Sequence, residues 1–349
     1  MHTQSLRWIG SAMIVAALAA APLAAQAPSP PQVTVTGLAY LQGQYLMKNP
    51  SGVNRFDVTR AYVNVLGRFA GGIATRVTAD IFTNTDSSRA YRIKYAYVAY
   101  TPTGSAITLK GGEIHTPWID WEEALWDYRV QGQMALERGF VTGTGVTSGY
   151  VSSSDFGIGA DGKWGPDKVN AQLVLVNGEN YNKGTGDQGK DGMIRVSARV
   201  MDTNDSSRVG GLRITGYAQI GQPTTGGQRQ RFLGMASYRS RQITLAGEFA
   251  AVRDSLTGGA LVKGRVISAF GVYHFTGSKL AIIGRFDATD PNTSLANDRQ
   301  SRVIGGVSYQ HSANLRLVAD WDHVSFQGTP TAAQKSASSQ TLLQAQFTF

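Results

Sequence analysis

Residues 56–81 read FDVTRAYVNVLGRFAGGIATRVTADI. Taken alternately, Ala61, Val63, Val65, Gly67 and Phe69 fall on one side, with Arg60, Asn64 and Arg68 on the other, which is the period of a strand and not of a helix. The alternation lapses at 70–72 and resumes at Ile73, as in two antiparallel strands joined by a tight turn. A soluble sandwich would alternate in the same way. The arginines separate the two cases, because a charge facing lipid at mid-bilayer costs a barrel about 2 to 4 kcal/mol. In a membrane barrel the Arg60 row must face an aqueous interior and the valine row the acyl chains.

Outward from this stretch the pattern recurs about sixteen times, near 33–45, 56–69, 73–82, 91–100, 106–113, 154–164, 169–178 and 190–200, then near 209–220, 229–239, 242–252, 264–275, 279–287, 300–310, 314–326 and 341–349. Gaps after odd-numbered strands run from 8 to 40 residues, and gaps after even-numbered strands from 2 to 8. Short turns at one rim and long loops at the other, with an even strand count, are the pattern of an outer-membrane barrel. One turn, 201–208, is long for its class. The fold class expected is therefore all-β, a transmembrane antiparallel barrel with short periplasmic turns, longer external loops and one long loop folded into the lumen.

The first residues, MHTQSLRW, are weakly basic, and an apolar core from Ile9 to Leu23 precedes Ala25-Gln26-Ala27. This reads as a secretory signal, 1–27, leaving 28–349 as a single barrel domain. The apolar run is shorter than a membrane-spanning helix requires, and no later stretch approaches that length. The chain has no cysteine, which excludes a disulfide framework and thiolate metal sites, so hydrogen bonding and packing must hold it together. His115, His274, His311 and His323 show no metal-ligand spacing, and neither a metal nor a cofactor is expected. Gly157, Gly159 and Gly162 spell GxGxxG inside an alternating strand with no helix after it, so the dinucleotide motif lacks its context. Asp287, Asp290, Asn292, Asn297 and Asp298 lie where an external loop is expected, and turn chemistry accounts for them better than calcium does.

Carrying the phase along each strand turns Arg60, Arg68, Arg76, Arg92, Lys94, Lys110, Lys163, Arg195, Arg199, Arg213, Arg285, Arg302 and Arg316 inward. Asp80, Asp155, Asp161, Glu248, Asp287, Asp320 and Asp322 share that face, so the wall is net positive and should concentrate anions. In the fourth strand Tyr91, Ile93, Tyr95, Tyr97 and Ala99 are assigned to lipid, opposite Arg92 and Lys94. The sequence pI of about 9.7 also raises nucleic acid as a partner, but the arginines are dispersed one or two to a strand and not gathered beside stacking aromatics, which excludes it.

The longest gap, 114–153, exceeds any simple turn, and loops of that length are usually functional. Trp118, Trp121, Leu125 and Tyr128 recur in it at helical spacing, with Asp120, Glu123 and Asp127 on another face. It is expected to fold inward as a constriction loop carrying Trp118, Asp120, Trp121, Glu122, Glu123, Trp126, Asp127, Arg129 and Arg138. Aromatics at strand ends, Tyr91, Tyr100, Trp164, Tyr238 and Phe249, suit interfacial girdles.

Beyond Phe56–Ile81, the stretches YRIKYAYVAY (91–100), LKGGEIHTPWIDWEEALWDYRVQGQMALER (109–138), VNGENY (176–181) and KDGMIRVSARV (190–200) resemble the phosphate-selective porin O and P family of Gram-negative outer membranes. The closing TLLQAQFTF, ending on Phe349, is similar to the terminal strand of such barrels, whose last aromatic is read by the assembly machinery. The resemblance implies a sixteen-stranded, homotrimeric porin of the outer membrane, surrounded by lipid, whose third external loop enters the lumen and whose basic side chains pass small anionic or polar solutes, phosphate among them. The chain departs from the phosphate-specific pattern in one respect: 114–153 holds no lysine, and its Asp120, Glu122, Glu123, Asp127 and Glu137 outnumber Arg129 and Arg138. A general or sugar-passing porin is the alternative. A barrel enzyme built on His323 and Ser325 is a further one, and it requires a nucleophile, base and acid within hydrogen-bond reach.

Overall fold

The computed structural model describes residues 30–47, 52–84, 86–141, 147–182, 189–222, 227–255, 259–331, 334 and 339–349; the expected signal segment lies outside them. The strands are β1 (Gln32–Leu46), β2 (Asn54–Phe69), β3 (Ile73–Thr83), β4 (Arg89–Tyr100), β5 (Ile107–His115), β6 (Ser154–Trp164), β7 (Val169–Val176) and β8 (Asp191–Met201). They continue as β9 (Gly211–Gly221), β10 (Gln228–Arg239), β11 (Ile243–Ser255), β12 (Val262–His274), β13 (Leu280–Asp290), β14 (Gln300–Gln310), β15 (Leu315–Phe326) and β16 (Ser339–Thr348). The helix α1 (Pro117–Trp126) interrupts the series between β5 and β6. Each strand pairs antiparallel with its neighbours in sequence and β1 pairs with β16, so the sheet closes on itself and leaves no edge.

Closure is completed at the C-terminus. The Gly37 N–H donates to the Phe349 carbonyl at 2.8 Å and the Phe349 N–H to the Gly37 carbonyl at 3.1 Å. A β-carbon on Gly37 would stand 2.0 Å from the Phe349 ring, so only glycine lets the terminal aromatic lie across β1. Gly37→Val is expected to displace that ring at an overpacking cost of about 1 to 3 kcal/mol. The check is the fraction of protein that runs as the compact, heat-modifiable form on a cold gel, which should fall.

Facing follows the period-two rule except at bulges. Between Thr78 and Ala79 the register jumps from Tyr95 to Ile93, so Lys94 is an extra residue in β4. An inserted residue reverses the phase of everything beyond it. Tyr95, Tyr97 and Ala99, assigned to the lipid face from the sequence, therefore turn inward, and Val98 and Tyr100 turn outward. A second bulge leaves Thr59 over in β2, where Tyr40 pairs with Arg60 and Leu41 with Val58. β10 turns Arg229, Arg231 and Arg239 inward, beside buried Leu233 and Met235.

The outer face is apolar from rim to rim, with Val65, Ile158, Leu173, Ile214, Ile267 and Val307 all exposed. At the short-turn rim Phe69, Tyr100, Trp164, Tyr273, Tyr309 and Phe347 point outward near the strand ends. Tyr91 does so at the opposite rim, while Phe249, expected in a girdle, sits at the middle of β11. An apolar belt with aromatic margins around a closed barrel is the surface a bilayer demands, because the strands satisfy one another's backbone polar groups within the sheet.

The hydrophobic core lies in an unusual place, inside the barrel. Trp118, Trp121, Leu125, Trp126, Tyr128, Met134 and Leu136 from the long loop pack on Val174, Met193, Tyr217, Met235, Val266, Phe270 and Ile283 of the inner wall. That packing covers much of the wall from β7 to β13.

Candidate functional site

α1 begins at Pro117, where the missing N–H costs nothing, and ends at Asp127 in the left-handed conformation (φ 56°). Its buried face is Trp118, Ile119, Trp121, Glu122, Leu125 and Trp126, and the opposite face carries Asp120 and Glu123. The aromatic row is anchored along its length: Trp118 lies 5.6 Å from Tyr217, the Arg195 guanidinium 4.3 Å over Trp121, and Trp126 edge-on to Phe270 at 5.1 Å.

Polar contacts from distant strands fix the rest of the loop. Arg208, in the turn between β8 and β9, donates to Asp120 Oδ2 (2.6 Å) and to its carbonyl (2.7 Å). Arg239 donates to the carbonyls of Ala124 and Leu125 (2.7 and 3.2 Å), placing a cation at the negative end of the helix. Tyr128 bonds Ser308 at 2.8 Å, Arg316 holds Asp127 Oδ2 at 3.0 Å, and Gln344 donates to the Val130 carbonyl at 2.8 Å. The loop thus lies along the wall from β7 round to β16, and the space opposite, toward β1–β5, stays open.

That opening is a cavity of about 260 Å³. Arg60, Arg76, Tyr40, Tyr62, Tyr95 and His115 form its barrel side, and Asp120, Glu123, Asp127 and Arg129 its loop side. Guanidinium and ring planes interleave on the barrel side: Arg60 stands 4.9 Å over Tyr62, Arg76 4.6 Å over Tyr95, and Tyr95 stacks on His115 at 3.9 Å. The two sides approach within 3.9 Å at Arg60 and Glu123.

Each loop acid facing the cavity has an arginine. Asp120 has Arg208, Glu123 has Arg129 and Arg60, and Asp127 has Arg316. Burial pushes the Asp120 carboxyl up, but Arg208, together with His115 and Lys110, offsets it and holds the group below the usual carboxylate range. The same balance, with Arg129 and then Arg60 opposing burial, lowers Glu123. Two cations differ. Arg76 bonds only neutral partners, Asn64 (2.9 Å), Thr78 (2.9 Å) and His115 (3.1 Å). Lys94 is buried with Nζ among the rings of Tyr62, Tyr95 and Tyr181, at 5.1 to 5.7 Å, and no acceptor reaches it among the described residues.

The inward cations expected to line a pore fall into two groups. Arg60, Arg68, Arg76, Arg92 and Lys110 lie on the open side, where Arg92 pairs with Asp80 and Lys110 with Asp161, while Lys94 is 1% exposed, buried behind the tyrosine rings. Arg195, Arg213, Arg285 and Arg302 point inward but are 4, 0, 3 and 7% exposed, sealed beneath the loop. They do not line water, and this corrects the expectation drawn from alternation. Arg302 is clamped by Asp322 through two bonds of 2.7 Å, and Arg285 is held by Asp287 at 2.8 Å. Arg199 pairs with Asp167 and Asp202 toward the turn rim, and burial beside Arg302 lowers Arg138 to about 10. Sequence reasoning missed Arg208 and Arg239. The signal for Arg208 was available, since its turn is the one too long for its class.

His323 and Ser325 lie on the outer face, with the His323 ring stacked on Trp321 at 5.3 Å and 7°. Among the described residues no carboxylate bonds that imidazole, so no triad forms there.

No protein-family model matches the chain, and no curated protein does. Solved structures do. The chain is similar to OmpT of Vibrio cholerae in its trimer form (10% identity, TM-score 0.65, covering 91% of this chain and 99% of that one). It is similar also to the anion-selective porin from Comamonas acidovorans (12%, 0.62, 92% and 100%) and to Salmonella typhi OmpF in complex with daunomycin (11%, 0.66, 91% and 97%). At such identities the likeness speaks for the fold, and the fold is the closed sixteen-stranded barrel of Gram-negative outer-membrane porins.

Proposed function

We propose that the protein is an outer-membrane porin, a water-filled channel for passive diffusion of small solutes, with a preference for anions. The observation that carries the preference is the inequality of pairing in the opening. Asp120, Glu123 and Asp127 are matched by arginines, while Arg76 has no carboxylate within 4 Å among the described residues. A low-dielectric opening with uncompensated positive charge concentrates anions and repels cations. The narrow part is set by the loop, and 28–349 acts as one barrel with 114–153 as its constriction.

Phosphate is the finer case, suggested by the resemblance to the phosphate-selective porins and by the fit of guanidinium forks to phosphate oxygens. The trimeric state of the Vibrio cholerae neighbour supports a homotrimer here. The test is the reversal potential of wild-type protein in a planar bilayer under a salt gradient, run with chloride and with phosphate. An anion-preferring channel gives the sign of the anion potential. A cation sign overturns the reading, and zero conductance overturns the channel itself.

A further inference from the structure

Arg60 projects from β2 opposite Tyr40 of β1, and its guanidinium lies over the rings of Tyr40 (5.7 Å) and Tyr62 (4.9 Å). It makes no hydrogen bond among the described residues. Glu123 stands 3.9 Å off, outside hydrogen-bond range, and is bonded by Arg129 instead. The Arg60 side chain nevertheless keeps 13% of its surface open, and it lines the cavity of about 260 Å³ between barrel and loop. Arg76, on the same cavity, spends three of its five N–H groups on Asn64, Thr78 and His115 and has two left. Beside these unspent donors the lining is apolar, made of Leu38, Ala124 and the tyrosine rings. Across the whole lining four guanidiniums (Arg60, Arg76, Arg129 and Arg208) face the three loop carboxylates, an excess of one positive charge.

We propose that the opening holds a discrete binding site for one small organic monocarboxylate, its carboxylate bonded by Arg60 and its apolar body laid against Leu38 and the rings of Tyr40 and Tyr62. The site rests on the anion-preferring reading of the lumen and names the class of anion. A guanidinium fork matches the two oxygens of a carboxylate, and the rings over its faces leave the N–H edge as the part that meets a solute. Chloride uses only the charge. Phosphate carries more negative charge than the one spare positive charge balances, meets Asp120, Glu123 and Asp127 across the opening, and has no carbon surface to bury. A neutral molecule of the same shape leaves Arg60 without an acceptor. Ligand clefts for drug-sized molecules run to roughly 300 to 1,000 Å³, so a space of about 260 Å³ suits a small acid.

The test uses benzoate as the monocarboxylate, benzamide as its neutral counterpart and inorganic phosphate as the competing anion, each added to wild-type protein conducting chloride in a planar bilayer. Benzoate should reduce the single-channel current along a saturating curve. Its half-blocking concentration should lie about tenfold or more below that of phosphate, because only benzoate buries an apolar body. Benzamide should not block. Arg60→Gln removes the charge-assisted bonds and should raise the benzoate half-blocking concentration, measured against the variant's own unblocked current, by about tenfold or more. Arg60→Lys keeps the charge without the fork and should fall between. Phosphate blocking at the lower concentration, benzamide blocking as well as benzoate, or a glutamine variant with the wild-type curve would each overturn the site. If neither variant assembles, the three probes on the wild type decide. Absence of current overturns the porin reading instead, and calorimetric titration of benzoate into the refolded protein then decides the site by itself: saturable heat supports it and no heat overturns it.

Discussion

With Arg76 replaced by glutamate, the channel is expected to pass cations in preference to anions, and the reversal potential in a potassium chloride gradient is expected to change sign. Arg76 stands on the open side of the constriction with neutral partners only, so its charge is unopposed where the passage is narrow. At about 4 Å and an effective dielectric of about 20, one unit charge is worth about 4 kcal/mol to a passing ion. Reversing the sign removes that attraction and installs its opposite. Even if water in the opening screens the effect to a quarter, the remaining difference exceeds the 1.4 kcal/mol or so that makes a tenfold change. Arg68→Glu serves as the comparison, since that side chain is exposed near the turn rim and salt screens it over a Debye length of about 8 Å. It should move the potential much less. An unchanged sign in the Arg76 variant would show that this charge does not set selectivity.

Trp121→Ala is expected to have the second large effect, on the loop itself. The indole is fully buried, with Arg195 4.3 Å and Arg213 5.5 Å from its ring. Removing it leaves a cavity worth about 3 to 5 kcal/mol and strips two buried guanidiniums of their aromatic cover. The closed sheet does not depend on that ring, so the barrel should still assemble. The consequence should fall on docking: a larger mean conductance, noisier open levels, and cleavage within the loop by an added protease that spares the wild type. Wild-type conductance together with wild-type resistance to proteolysis would place the loop's anchorage elsewhere, in the arginine contacts to Asp120, Asp127 and the helix carbonyls.

The strands were legible because a period of two is a local property, written in the residues that obey it. Arg60 and Val63 declare their faces within one strand, and the short gap at 70–72 declares the turn. The loop helix was legible for the same reason, with aromatic and acidic residues separated at helical spacing. Bulges were not. Lys94 looks like any other polar residue in an alternating row, and only pairing with β3 shows that it is supernumerary and that Tyr95 and Tyr97 face inward. Nor does the sequence mark Glu122 as different from Glu123, although one lies sealed on the buried face of α1 and the other faces the opening.

By itself, then, the sequence determined a closed barrel with a basic interior, an apolar exterior and a tryptophan-rich insertion, because alternation, connection length and charge cost at lipid are all readable along the chain. Only the tertiary structure decided which part of the interior is water. Arg213 and Arg76 both point inward, yet one is sealed beneath the loop and the other stands at the opening. Their fates depend on contacts such as Tyr128 with Ser308, 180 residues apart, and Arg316 with Asp127, 189 apart, which fix where the insertion lies down. Periodicity states a direction; whether the space in that direction is filled depends on packing between segments that are neighbours only after folding.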